Sequence, residues 1–454
     1  MTQQPHTPTR ARRHHSLSSA QFTALARGGS DPDTLEQLVT AQHSKHLILL
    51  GKVAELARRG DHPDDALGEA GYQLLAEVQR KAPAAAAEVI GYPSVGAWAL
   101  HVIRSSATPA AGNAPADTAS VAGAAQPGVR PSGLAAIAAA AAVRAGLDAE
   151  IEVPVLGAGV LLPSLGAAEA VGSTAVVAAK EAEVRSRNLR VRARADEPGW
   201  RELRRATAGP FSVVIDDLDP FRMPTPDGGL TERLTPSQVT ELRGTLQAAA
   251  SVLASASAAE IATLVRVIVP YGPQESGNLS ISVSSPQVFG TVAMSRQPDK
   301  YTCAETLVHE TQHLKLSALI DLVMLTRPDD GRVYYAPWRP DPRPLSGLLQ
   351  GTYAFLGISG FWREQRQTAP EHGIRQRAHA EFARWRDGAA TAAGTLLRSG
   401  QLTSAGETFV ETMAAVLDDW RREPVPGDAL DVARRKSDRH QARWQANNGQ
   451  AETG

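Results

Sequence analysis

Two histidines stand four residues apart in the run His309-Glu310-Thr311-Gln312-His313. On a helix, positions i and i+4 share a face, with Cβ atoms roughly 5–6 Å apart. Two imidazoles at that spacing can grip one metal ion, and Glu310, one position on, can reach a metal-bound water. A five-residue pattern also arises by chance, so its flanks carry weight. Leu307-Val308 precede it and Leu314-Lys315-Leu316 follow. No proline interrupts from Asp299 to Arg327. Thr302 and Glu305 have the T-x-x-E spacing of a capping box. The stretch predicts a largely buried helix that carries a metal.

Two histidines leave such a site short of ligands, because a catalytic metal needs a third protein ligand and an open position. Later in the chain the candidates are Glu364, Glu371, His372, His379, Glu381 and Glu407. Glu381 leads, because it falls in a predicted helix among apolar neighbours, where an unpaired carboxylate is costly. Its competing role is an ion pair with Arg384 or Arg377. A two-histidine, one-carboxylate set fits two chemistries. With zinc, Glu310 is a general base and the metal polarises an amide for hydrolysis. With Fe(II), three positions remain for a chelating co-substrate and O2. The iron case also asks for a cation on the co-substrate's far carboxylate, and arginine's planar fork suits it. Arg339 and Arg343 qualify, with Tyr335 beside them, in the proline-stiffened loop Val333 to Arg343.

These residues need elements to hold them. Leu279 to Ser284 alternates with period two and predicts a strand just ahead of the metal helix. Such an edge can take an extended peptide by β-addition, which makes Ser282, Ser284 and the loop residue Trp338 candidate substrate contacts. After the loop, helices are expected at about 345–367, 371–399 and 403–422, then a charged tail that frays beyond Asn447. Upstream, Thr235-Pro236 reads as a helix start, with a helix running to Ile268 and broken near Ser255-Ala256. Strands are expected at Ile151 to Val155, Ala175 to Val177, Leu189 to Arg192 and Phe211 to Ile215, the last ending in the acidic loop Asp216-Asp217-Leu218-Asp219. A helix spans Gly133 to Ala145. Residues 16–106 read as helical. Within them, His43 and His46 in Gln42-His43-Ser44-Lys45-His46 have no acid nearby, so surface or packing roles are expected.

The fold class expected is α+β, mainly helical, with a zincin-like H-E-x-x-H helix and a C-terminal helical bundle. The organisation is a disordered tail (1–15), an N-terminal helical region (16–106), an Ala/Pro/Gly-rich linker (107–133), an α/β region (134–230), the metal-binding region (231–425) and a charged tail (426–454). The chain has 454 residues, 43% of them hydrophobic, enough for more than one core. A formal net charge of −1 lacks the basic excess of a nucleic-acid binder. The single cysteine, Cys303, rules out intrachain disulfides and Cys-rich zinc modules. There is no secretion signal or spanning stretch, so a cytoplasmic protein is expected.

Several segments together resemble the α-ketoglutarate-dependent HExxH-type peptide β-hydroxylases, which act in the maturation of ribosomally made, post-translationally modified peptides. They are Leu307 to Leu316, Tyr334-Tyr335-Ala336-Pro337-Trp338-Arg339, Asp341 to Leu345 and Leu349-Gln350-Gly351-Thr352-Tyr353-Ala354. Gln42 to Leu47, Pro93 to Ala99 and Asp216 to Pro220 extend the likeness through most of the chain, about residues 16–420. The resemblance implies Fe(II), α-ketoglutarate and O2, with succinate and CO2 released and a peptide side chain hydroxylated at Cβ. His309 and His313 carry over as metal ligands, and Glu381 matches an acidic residue in a Phe/Ala-rich helix. Many relatives have histidine where this chain has Phe355. With one cysteine there is no radical-SAM motif, so the expected partner is a precursor peptide met by a stand-alone enzyme. No nucleic acid or membrane is expected, and a homodimer remains open. The alternatives are a zinc metallopeptidase and a non-catalytic peptide-binding partner.

Overall fold

The computed structural model describes residues 15–107, 129–224, 230–272 and 280–449. The tail residues 1–14, most of the Ala/Pro/Gly-rich linker, Leu279 and residues 450–454 lie outside them. Within the described residues the fold is α+β and mainly helical.

Five helices open the chain: α1 (Ser19–Ala26), α2 (Pro32–Ala57), α3 (Asp65–Lys81), α4 (Pro83–Ile90) and α5 (Pro93–Ala107). Ser18 caps α1 with a full capping box, and the Asp31 side chain with Pro at the first position starts α2. The alanine-rich α6 (Leu134–Ala145) is buried almost throughout, since small side chains let neighbours approach closely. Gly146 ends it in the left-handed conformation, which costs glycine nothing.

Two small antiparallel sheets follow. One runs β1 (Glu150–Pro154), β4 (Thr174–Ala178), β5 (Glu183–Ser186), β6 (Leu189–Arg192); the other β2 (Gly159–Leu162), β3 (Gly166–Glu169), β7 (Trp200–Glu202). β2, β3, β5 and β7 have no counterpart in the sequence reading, because three- and four-residue strands such as Gly166–Glu169 carry too little alternation to register.

The sheet that matters for the site has the order β11-β12-β10-β9-β8. Its members are β8 (Arg204–Ala208), β9 (Phe211–Ile215), β10 (Val267–Pro270), β11 (Ser282–Val283) and β12 (Thr291–Met294). β9, β10 and β12 run parallel; β8 and β11 pair antiparallel at the two edges. Ala206, Val213, Ile215, Ile268, Val292 and Met294 face the core beneath the metal helix. Val214, Val267, Val269 and Ala293 face a second core, shared with the N-terminal helices and the small sheets. This two-sided burial explains the apolar run in β10.

That run corrects the expectation of helix as far as Ile268. The helix is split into α7 (Pro236–Ala250) and α8 (Ser255–Leu264), and Val267-Ile268-Val269, all β-branched, go into the sheet instead. The strand expected over Leu279 to Ser284 is paired only at Ser282–Val283.

The metal helix is α9 (Lys300–Ile320). Its cap differs from the expected Thr302/Glu305 box. Asp299 is the N-cap, accepting from the backbone N–H of Tyr301 and Thr302, so Glu305 takes no part in the cap. A short hairpin, β13 (Val333–Tyr334) with β14 (Arg343–Pro344), closes the aromatic loop. Then come α10 (Leu345–Thr368), α11 (His372–Arg398) and α12 (Ser404–Arg421), close to their expected bounds. The charged tail, for which no helix was expected, forms α13 (Gly427–Asn448), which lays Ala429, Ala433 and Trp444 against α11 and the aromatic loop.

Candidate metal centre

One stripe of α9 faces a partly open cleft. Glu305, His309, His313 and Ser317, each four residues from the next, are half-buried, while their helix neighbours are almost all buried. The back of the helix is fixed by polar anchors as well as by packing. The Lys315 ammonium, fully buried, donates to the Gly28 carbonyl and to Glu260, each at 2.8 Å. The Gln312 amide donates to the same carbonyl at 3.0 Å. Rotation about the helix axis would break all three contacts.

On the open side, Nε2 of His309 and Nε2 of His313 lie 3.1 Å apart. Two nitrogens bound cis at ordinary metal–nitrogen distances would be separated by about 3.0–3.4 Å. The pair is therefore already at the spacing of two ligands on one ion. Nδ1 of His313 donates to Gln350 Oε1 at 3.0 Å, which keeps its proton off Nε2. The Gln350 amide reaches the Ser317 hydroxyl at 3.4 Å. Nδ1 of His309 is buried and has no partner among the described residues. Burial holds the His309 ring neutral, its pKa lowered to about 4, and the neighbouring His313 adds to that shift.

Glu310 is turned toward the sheet. Its Oε1 accepts from the Ser282 hydroxyl of the edge strand at 2.6 Å, Oε2 is buried without a partner, and the residue is 2% exposed. Of the expected substrate contacts, Ser282 thus touches the metal helix, and Ser284 lies one residue beyond the paired strand.

Aromatic rings wall the cleft. Phe355 meets His309 edge-on, with centroids 5.4 Å apart. Trp338 stacks on Phe355 at 4.6 Å, and Trp385 packs against it at 4.5 Å. A Cβ at Gly351 would run into the Trp338 indole, so glycine at that turn of α10 is what lets the loop settle.

Glu381 is not gathered with the histidines. Its carboxylate accepts from Lys436 of α13 and lies 3.8 Å from Arg384. Among the described residues, no three His, Cys, Asp or Glu side chains are grouped to hold a metal. Arg339 and Arg343 both engage Asp341, at 3.0 and 3.1 Å, in their own loop. The Tyr335 hydroxyl donates to His440, and its ring packs on Trp444, so it faces α13. The expected ligands His309 and His313 meet; Glu381, Arg339, Arg343 and Tyr335 are engaged elsewhere. Gln350 and Trp385 were missed as site residues, and Phe355 was noted only as the place where many relatives have histidine. Gln350 lies within a segment that carries the family likeness, and that was the available signal.

Of the other motif residues, His46 is buried, donating from Nδ1 to the Ile90 carbonyl at 2.7 Å, a packing role. The acidic loop is a buried joint. The Tyr92 hydroxyl donates to Asp216 at 2.7 Å, the Ser94 hydroxyl to Asp219 at 2.5 Å, and Asp217 pairs with Arg204 and Arg233. Cys303 is buried, and burial pushes its thiol up to about 12, away from nucleophilic chemistry.

No protein-family model matches the chain, and no curated protein matches it. Among the described residues no helix is long and apolar enough to cross a membrane.

Proposed function

We propose that this protein is an Fe(II)- and α-ketoglutarate-dependent hydroxylase that modifies Cβ of a side chain in a ribosomally made precursor peptide. The observation that carries the reading is the convergence of His309 and His313 Nε2 at 3.1 Å, taken with the resemblance of the segments around them. Those two histidines would hold the metal. Bound there with α-ketoglutarate and O2, iron supplies the oxidising chemistry, with succinate and CO2 as by-products. The chain's own residues prepare the place. Gln350 holds His313 in the tautomer whose Nε2 lone pair faces the cleft. Phe355, Trp338 and Trp385 exclude water from one side of it. Glu310 and Ser282 tie the edge strand to the metal helix, so an extended peptide added along β11 would lie beside the histidines.

Arg339 and Arg343 form a two-armed carboxylate clamp on Asp341. A co-substrate carboxylate would take the place of Asp341 there. The zinc peptidase reading is less well supported. It needs Glu310 to work as a base on metal-bound water, and Glu310 is buried with one oxygen already held by Ser282.

The test is turnover of α-ketoglutarate by the Fe(II)-loaded protein with a precursor peptide encoded beside its gene. Succinate formed only when metal and peptide are both present, with one oxygen added to the peptide, is the expected result. A cleaved peptide with no need for α-ketoglutarate overturns it.

A further inference from the structure

We propose that a cavity behind the metal helix binds a small apolar α-amino acid as its zwitterion. The cavity, of about 230 Å³, lies between the back of α9, the helices α8 and α10, and the turn that joins α1 to α2. α10 contributes Phe361 and Glu364, α8 contributes Ile261, α9 contributes Val308, and Arg27 lines it just after α1. Protein interiors hold few voids larger than a water, and this space is several times the share of one.

Two groups of opposite charge line this cavity, and neither is engaged. The Glu364 carboxylate is half-buried and has no hydrogen bond or ion pair among the described residues. Burial pushes its carboxyl above the usual carboxylate range, and no cation draws it back. The Arg27 guanidinium is exposed and likewise has no hydrogen bond or ion pair among the described residues. The two therefore do not pair with each other. The cavity's other carboxylate, Glu260, is already taken. One oxygen accepts from the Ser30 hydroxyl at 2.5 Å and the other from Lys315 at 2.8 Å.

A structural role accounts for Glu260, whose bond to Lys315 fixes α9, but not for Glu364. An exposed arginine alone needs no ligand. A half-buried carboxylate has lost part of its hydration, and a charged donor restores what is lost. A simple cation would satisfy Glu364 and add its charge to that of Arg27; a simple anion would do the reverse. A zwitterion meets both groups, so no charge enters unpaired. An α-amino acid carries its ammonium and carboxylate on one carbon. That suits a space below the roughly 300–1,000 Å³ of sites for drug-sized ligands. Ile261, Val308, Leu356 and Phe361 make part of the wall apolar, which favours a branched aliphatic side chain. A peptide terminus offers only one of the two charges. The proposal does not depend on the hydroxylase reading.

Isothermal titration calorimetry of the full chain with L-leucine tests it. Two analogues serve as controls: isoamylamine, which lacks the carboxylate, and isocaproate, which lacks the ammonium. Saturable leucine binding is expected, with both analogues weaker by about tenfold or more. Glu364→Gln and Arg27→Gln should each weaken leucine binding by a similar factor, with circular dichroism showing the fold retained. Glu364→Gln should leave isocaproate binding as it was, since that ligand has no ammonium for Glu364 to hold. No saturable leucine binding, or an analogue that binds as tightly as leucine, overturns the proposal. So does unchanged leucine affinity in either variant, which would mean that leucine sits elsewhere.

Discussion

At the scale of single residues, the centre depends on two nitrogens and on what holds them. His309→Ala or His313→Ala should abolish metal binding, measured by anaerobic titration or by metal content after loading. Gln350→Leu leaves both nitrogens in place but frees the His313 tautomer, so metal affinity should fall about 10–100-fold. Phe355→His tests the ring wall from the other side. A donor placed where Phe355 meets His309 edge-on should tighten metal binding. Glu381→Ala should leave metal affinity nearly unchanged, because that carboxylate is held by Lys436; a loss equal to that of His309→Ala would return Glu381 to the ligand set. The histidine pair was legible because i, i+4 spacing alone fixes which face two side chains share. The surroundings of Glu381 were not. α13 supplies its lysine, and nothing local in His379-Ala380-Glu381-Phe382 announces a helix arriving 55 residues later.

At the scale of elements, the long C-terminal helices and α9 were readable from apolar periodicity, and their caps were less so. Thr302 has the spacing of a cap, but Asp299 lies three residues earlier in extended backbone and satisfies two N–H groups. Asp299→Ala should cost about 1 kcal/mol in urea denaturation. α13 escaped because only three of its residues, widely spaced, are buried: Ala429, Ala433 and Trp444. Its weight rests on Trp444, which is 5% exposed and packed on Tyr335. Trp444→Ala should cost roughly 3 kcal/mol and loosen the aromatic loop. Limited proteolysis between Val333 and Arg343 would show it.

At the scale of the whole molecule, two cores meet across one sheet, and the joint is polar. His46 is held neutral there. Burial lowers its pKa from 6.5 to about 4, against a smaller opposing pull from its bond to Ile90. The unfolded chain therefore takes up this proton first as pH falls. The stability His46 allows is complete above about pH 6.5 and is lost toward pH 4, on the order of 3 kcal/mol in all. Asp219 works in the opposite direction. Burial and the neighbouring Asp216 push it up to about 7, so its ionisation costs stability as pH rises toward neutrality. Comparing denaturation midpoints of the wild type and His46→Gln at pH 5 and 7.5 isolates the histidine. The gap between the two pH values should shrink in the variant.

The buried Lys315 has a consequence for anyone who would transplant this centre. Its ammonium is satisfied by the carbonyl of Gly28 and the carboxylate of Glu260, both on other elements well before it in the chain. The H-E-x-x-H helix is thus not a portable cassette. Grafted into another scaffold without both acceptors, it would carry an orphan cation into an apolar interior, and the recipient would fail before any metal was offered to it.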